Sequence, residues 1–168
     1  MNIIENKLYI GELPAVSIAK KYGTPIYVYD EEVIRFKYKE LADAITYPKF
    51  SIHYACKANT NPKIIQILKE EGAKIDAVSP GEIMIALNLG FKPEEIIFTS
   101  TSVTDEEMSF VINEKVLINV DSISQLERYG KLNPRSEVSI RINPAVGAGH
   151  HDHVITGGPD SKFGVWVG

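Results

Sequence analysis

Cysteine is nearly missing: Cys56 is the only one in 168 residues. No disulfide can form within the chain, and this usage fits a reducing, cytoplasmic setting. Long hydrophobic runs are missing as well. No window approaches the ~18 consecutive apolar residues of a membrane span. The opening MNIIENKLYIGELP has no basic stretch leading into an apolar one, as a secretion signal would. There is no excess of positive charge, since 18 Lys and Arg against 22 Asp and Glu leave a net charge of −4. That balance gives no electrostatic ground for a nucleic acid or an anionic membrane as partner. The remaining composition, 44% apolar and 24% charged, is that of a soluble globular protein, and the length suits one domain.

What is present is a repeat. Short apolar runs recur at Phe50–Ala55, Lys74–Val78, Glu95–Phe98, Val116–Val120 and Val138–Ile142. Their central isoleucines, Ile52, Ile75, Ile97, Ile118 and Ile140, stand 23, 22, 21 and 22 residues apart. Runs this short and apolar predict strands of a sheet buried on both faces. Between them, Pro62–Glu71 sets Ile64, Ile65 and Leu68 on one helical stripe before Gly72, and Glu82–Leu89 does the same with Ile83, Ala86 and Leu87 before Gly90. Helix-start signals stand at the joints: Asn61-Pro62, and the capping-box spacings that begin at Ser79, Thr104 and Ser122.

Strand, cap, helix and strand repeated every ~22 residues predict parallel βα units. A closed eight-stranded barrel and an open doubly wound sheet both fit. The even spacing, and the lack of a Gly-x-Gly-x-x-Gly turn after the first strand, favour the barrel. Only five units fit in the chain, whereas a complete barrel takes ~250 residues. The expectation is therefore an incomplete α/β (β/α)8 TIM-type barrel over residues 31–168, in a fragment of a longer protein. Residues 1–30 stand outside the repeat, and their alternations at Leu8-Tyr9-Ile10 and Pro25–Tyr29 predict strands that pair elsewhere.

The run FSIHYACKAN at 50–59 ends in a lysine. Strand alternation puts His53, Ala55 and Lys57 on one face and Tyr54, Cys56 and Ala58 on the other. A barrel forms its active site at the C-terminal ends of its strands. Lys57, with only a methyl group beneath it, has room there for a bulky group. A lysine kept from bulk water becomes a nucleophile suited to an aldehyde; alternatively Lys57 simply snorkels from a strand end into solvent. Cys56 reads as a small buried packing residue. His53 reads better as a core histidine than as a site residue, although it shares the lysine's face.

The motif Tyr54-Ala55-Cys56-Lys57-Ala58-Asn59 resembles the lysine motif of the alanine-racemase-like, fold-type III pyridoxal-phosphate enzymes, specifically the diaminopimelate decarboxylase family. The resemblance continues through Asp76-Ala77-Val78-Ser79-Pro80-Gly81-Glu82-Ile83, Arg141-Ile142-Asn143-Pro144, Thr156-Gly157-Gly158 and Ser161-Lys162-Phe163-Gly164. It implies that Lys57 holds pyridoxal 5'-phosphate through the cofactor's aldehyde and is displaced by the amino group of the substrate. It also implies that Asp76 and Arg141 form a charge-paired network near the cofactor ring. Glu82 matches a family position too, but its capping-box spacing with Ser79 accounts for it without catalysis. The implied reaction is decarboxylation of meso-2,6-diaminopimelate to L-lysine and CO2 in a cytoplasmic homodimer. D-ornithine or D-lysine decarboxylation on the same scaffold, or a non-catalytic barrel, are the alternatives. The resemblance places further cofactor and substrate residues in later strands and in a C-terminal β domain to which residues 1–30 would add a strand, so the fragment alone is expected to be inactive.

Gly147–His153 gathers three histidines and an aspartate. Successive loop residues seldom close a tetrahedral site, and no distant Cys/His pair completes one, so no metal is expected. A loop facing substrate or the dimer partner is the better reading. Thr156-Gly157-Gly158 lacks the spacing of a phosphate-gripping P-loop.

Overall fold

The computed structural model describes residues 1–147, 155–159 and 161–166. Five parallel strands lie side by side in chain order: β4 (His53–Ala55), β5 (Lys74–Ala77), β6 (Ile96–Phe98), β7 (Leu117–Val120) and β8 (Ser139–Ile140). After Arg141 the chain continues as β9 (Ile142–Asn143), which pairs in parallel with β10 (Val165–Trp166). The ladder thus reaches a sixth strand, and among the described residues it does not close. Helices α3 (Pro62–Glu70), α4 (Pro80–Asn88), α5 (Asp105–Asn113) and α6 (Ile123–Leu132) connect successive strands. This is the expected partial barrel.

The helices form where the cap residues stand. Asn61, Ser79, Thr104 and Ser122 each accept a backbone N–H of the first turn. Only Thr104 makes a reciprocal box, with Glu107 returning to the Thr104 N–H. At the other two boxes the returning side chain reaches one residue further back: Glu82 Oε2 accepts Val78 N at 2.8 Å, and Gln125 Oε1 accepts Asp121 N at 2.8 Å. The starts of α4 and α6 are thereby tied to the residues that directly follow β5 and β7.

The buried core lies on the helix side of the sheet. Ile75, Ala77, Ile96, Phe98, Ile118 and Val120 are at most 2% exposed and pack with Ile65, Ile83, Ala86, Met108, Val111 and Tyr129. Burying a side chain such as Phe98 contributes about 1.5–3 kcal/mol. The other face differs from expectation: Lys74, Asp76, Ile97, Thr99, Leu117 and Asn119 are only half-buried. No described residue covers that concave face, so the sheet is buried on one side alone.

Ahead of the repeat, β1 (Asn2–Ile4), β2 (Lys7–Ile10) and β3 (Leu13–Pro14) form a small antiparallel meander. The strand expected near Leu8–Ile10 therefore exists but pairs with its neighbours in sequence. Pro25–Tyr29 forms no strand, and α1 (Ala15–Tyr22) is a helix where none was expected. Helix α2 (Glu31–Ala44) buries no residue fully. Ile34 and Tyr38 pack on Ile64 and Leu68, and Arg35 reaches Glu70 and Glu71 at the end of α3 at 2.6 and 2.8 Å. No described helix is long and apolar enough to cross a membrane.

Candidate active site

Parallel register carries side-chain direction from strand to strand. Ala55 pairs with Asp76, Asp76 with Ile97, and Asn119 with Ser139. The concave face therefore presents, toward the C-terminal ends of the strands, a polar row of Asp76, Thr99, Asn119, Ser139, and beyond them Asp121 and Arg141.

Lys57 stands at the same end of β4, but not as a continuation of its alternation. The strand stops at Ala55, and Cys56–Ala58 form one 3-10 turn. The turn sends Cys56 fully into the core and leaves Lys57 exposed. Cys56 is the packing residue expected, and burial pushes its thiol up to about 11, with Glu82 and Asp76 adding to the shift. The seclusion from water that would activate Lys57 is not supplied by the described residues around it.

Asp76 accepts the hydroxyl of Thr99. Arg141 links β8 to β9: its N–H donates to Val120 O at 2.9 Å, and its carbonyl accepts Val165 N at 2.7 Å. Its guanidinium lies 3.7 Å from Asp121 Oδ1 and over the Phe163 ring, 4.6 Å from the centroid. Asp76 and Arg141 are thus held by different partners, Thr99 and Asp121, rather than by each other.

Two residues that the sequence did not flag organise this rim. Asp121, 8% exposed, also accepts Gly164 N at 3.0 Å. Asn143 is 2% exposed; its Nδ2 donates to Gly158 O and Phe163 O, and its Oδ1 accepts Ala145 N and Gly158 N. The three motifs around residues 141–144, 156–158 and 161–164 therefore meet through one amide. Gly164 is required there: φ is +80°, and a Cβ would lie 2.9 Å from Asn143 N. The signal for Asn143 was its place beside Arg141 in a motif; the signal for Asp121 was its place at a strand end.

Other expectations fare differently. Glu82 is buried and serves the start of α4. His53 is exposed rather than in the core, with Nδ1 3.2 Å from Ile75 O, because β4 is an outer strand with no described neighbour on that side. A mostly apolar groove of about 700 Å3 runs along that edge between α2, β4 and α3, but Lys57 does not line it. Of the Gly147–His153 loop, residues 148–153 lie outside the described residues. Among the described residues no cluster with metal-ligating character occurs.

A primary amine at the C-terminal end of a barrel-type strand, with an acidic and a basic side chain along the same rim, defines a class: parallel α/β enzymes able to hold an aldehyde cofactor. The chain belongs to the pyridoxal-dependent decarboxylase family, whose pyridoxal-binding-domain model matches residues 31–168. It is 53% identical over 161 residues to the diaminopimelate decarboxylase of Methanothermobacter thermautotrophicus, covering 94% of this chain and 38% of that one. Among solved structures it resembles diaminopimelate decarboxylase from Helicobacter pylori complexed with L-lysine, at TM-score 0.84 and 31% identity over 90% of this chain and 40% of that one. It likewise resembles diaminopimelate decarboxylase from M. jannaschii in co-complex with L-lysine, at TM-score 0.80 and 32% identity over 99% of this chain and 41% of that one. The chain thus spans about two fifths of the length of these relatives.

Proposed function

We propose that this chain is the cofactor-holding part of a diaminopimelate decarboxylase, which converts meso-2,6-diaminopimelate to L-lysine and CO2 in a cytoplasmic homodimer. The observation that carries the reading is Lys57, exposed at the strand end that opens onto Asp76, Thr99, Asp121 and Arg141. The group fits these residues: the Lys57 amine is accessible to an aldehyde, and the rim offers both charges to a polar, anionic ring system. Pyridoxal phosphate, when bound, supplies the electron sink for the pair released as the α-carboxylate leaves.

The residues of the chain bind and orient. Lys57 Nζ anchors the aldehyde. Arg141, held by backbone bonds on both sides and faced by Asp121, presents its guanidinium from a fixed position. Asp76, fixed by the Thr99 hydroxyl, brings a carboxylate to the same rim. The names of the relatives support diaminopimelate as substrate.

Borohydride reduction of the protein with pyridoxal phosphate, followed by peptide mass spectrometry, tests the anchor. The expected result is a pyridoxyl adduct on Lys57, lost in Lys57→Ala. An adduct spread over several lysines and unchanged by that substitution would sink the proposal. In the complete gene product, lysine formation from meso-diaminopimelate should exceed turnover of D-ornithine or D-lysine; the reverse order would replace the substrate.

A further inference from the structure

We propose that Tyr54 and Tyr29 are positioning residues for the aldehyde-anchoring amine: acting through Asn59, their hydroxyls hold the turn that carries Lys57. The inference rests on the reading of Lys57 as the anchor. Lys57 sits in the middle of a three-residue 3-10 turn, and the backbone of that turn sets where its flexible side chain begins. A turn this short holds itself by few bonds of its own. Asn59 N donates to Cys56 O at 3.1 Å and closes it. Asn59, two residues beyond Lys57, is also where ties from outside converge. Its carbonyl accepts the Tyr54 hydroxyl at 3.1 Å. Its Nδ2 donates to the Tyr29 hydroxyl at 2.8 Å, and its Oδ1 accepts Asn61 N at 2.9 Å. None of these bonds engages the Lys57 amine.

The two tyrosines are set by different parts of the molecule. The Tyr54 ring stands in β4 and packs against both apolar clusters, that of the sheet and that of Ile64 and Leu68. Its hydroxyl is thereby a fixed point beside the turn. Burial raises its pKa above the ordinary value, so it keeps the proton that it donates. Tyr29 is 51% exposed and lies ahead of α2, outside the repeat. One tie therefore comes from the core and the other from the segment before the barrel, and they meet on one residue near the lysine. Holding a reacting group in place lowers the entropy cost of bond formation, so losing such support slows the reaction without removing the group.

The test uses the complete gene product stripped of cofactor. Capture of pyridoxal phosphate is followed by absorbance, and borohydride trapping with peptide mass spectrometry locates the adduct. Tyr54→Phe keeps the packed ring and removes only the hydroxyl. It should slow capture at Lys57 by about fivefold or more, the scale of one hydrogen bond. A merely structural hydroxyl would lower stability toward urea and leave the capture rate of the folded protein alone. Tyr29→Phe, at an exposed position, should slow capture by about twofold, and it decides the matter if Tyr54→Phe fails to fold. Tyr38→Phe removes a hydroxyl from the same groove, beside Gly72, and should leave the rate unchanged. An adduct on Lys57 formed at the wild-type rate in the folded variants overturns the positioning role alone, as does equal slowing by Tyr38→Phe. A wild-type adduct elsewhere than Lys57 overturns the anchor and the positioning role together.

Discussion

Cys56 and Lys57 are neighbours with opposite environments, one fully buried and one exposed. Because burial raises the thiol from its ordinary 9.0 to about 11, the folded state keeps its proton over a range in which the unfolded chain loses it. Stability is then expected to fall as pH rises from about 9 to about 11. Chemical denaturation at stepped pH should show that slope, and Cys56→Ala should flatten it. Asn143 is the other residue with a distinct expectation. Asn143→Ala strands four backbone groups around residues 145, 158 and 163, and a loss of at least about 2 kcal/mol is expected by urea denaturation. At this scale the place of Lys57 beside the end of β4 was legible from the sequence, whereas the contacts that Asn143 and Asp121 make were not. Their roles depend on contacts with residues about 20 and 43 positions away, which no local pattern records.

Helices were legible where a cap and an apolar stripe coincide. The stripes of α3 and α4 form as expected: Ile65, Ile83 and Ala86 join the core on the sheet, and Ile64 and Leu68 pack with Ile34, Tyr38 and Tyr54. Strand ends were less legible: β4 is shorter than its apolar run, and among the described residues it has no strand on its outer side. Helix α2 is held chiefly by side chains at its ends and one face. Arg35 meets Glu31, Glu70 and Glu71, and this lowers the two α3 carboxyls below their usual range while raising the guanidinium, Glu70 contributing most. The stabilisation is present above the ordinary carboxylate value of 4.5 and is lost as pH falls through the lowered ones. Hydrogen-exchange protection factors over residues 31–44, corrected for the intrinsic rate at each pH, should therefore fall in acid and in Arg35→Gln, while β5–β7 stay protected. An equal fall in both regions would contradict it. Thr104→Ala, which removes the reciprocal cap of α5, should cost about 1 kcal/mol.

For the whole molecule, the order and parallel sense of the sheet were legible from the repeat interval, because each βα unit repeats the same local signals. The exposure of its concave face could not be read in the same way. Apolar runs look alike whether one side of the sheet or both are covered. With that face open and the ladder unclosed among the described residues, the 168-residue chain by itself is expected to form no measurable lysine from meso-diaminopimelate. Turnover comparable to that of a complete relative would contradict the expectation.

The two faces of the sheet also divide the chain's tolerance to change. Positions such as Ile75, Phe98 and Ile118 are buried in the core, and those such as Asp76, Thr99 and Asn119 are half-buried on the open face, where the proposed function needs their chemistry. They alternate one by one along each strand. A saturation library scored separately for soluble yield and for pyridoxal capture should split along that alternation, with yield lost at one parity and capture at the other. The strands would then carry two interleaved sets of evolutionary constraints, each free to drift without disturbing its neighbour.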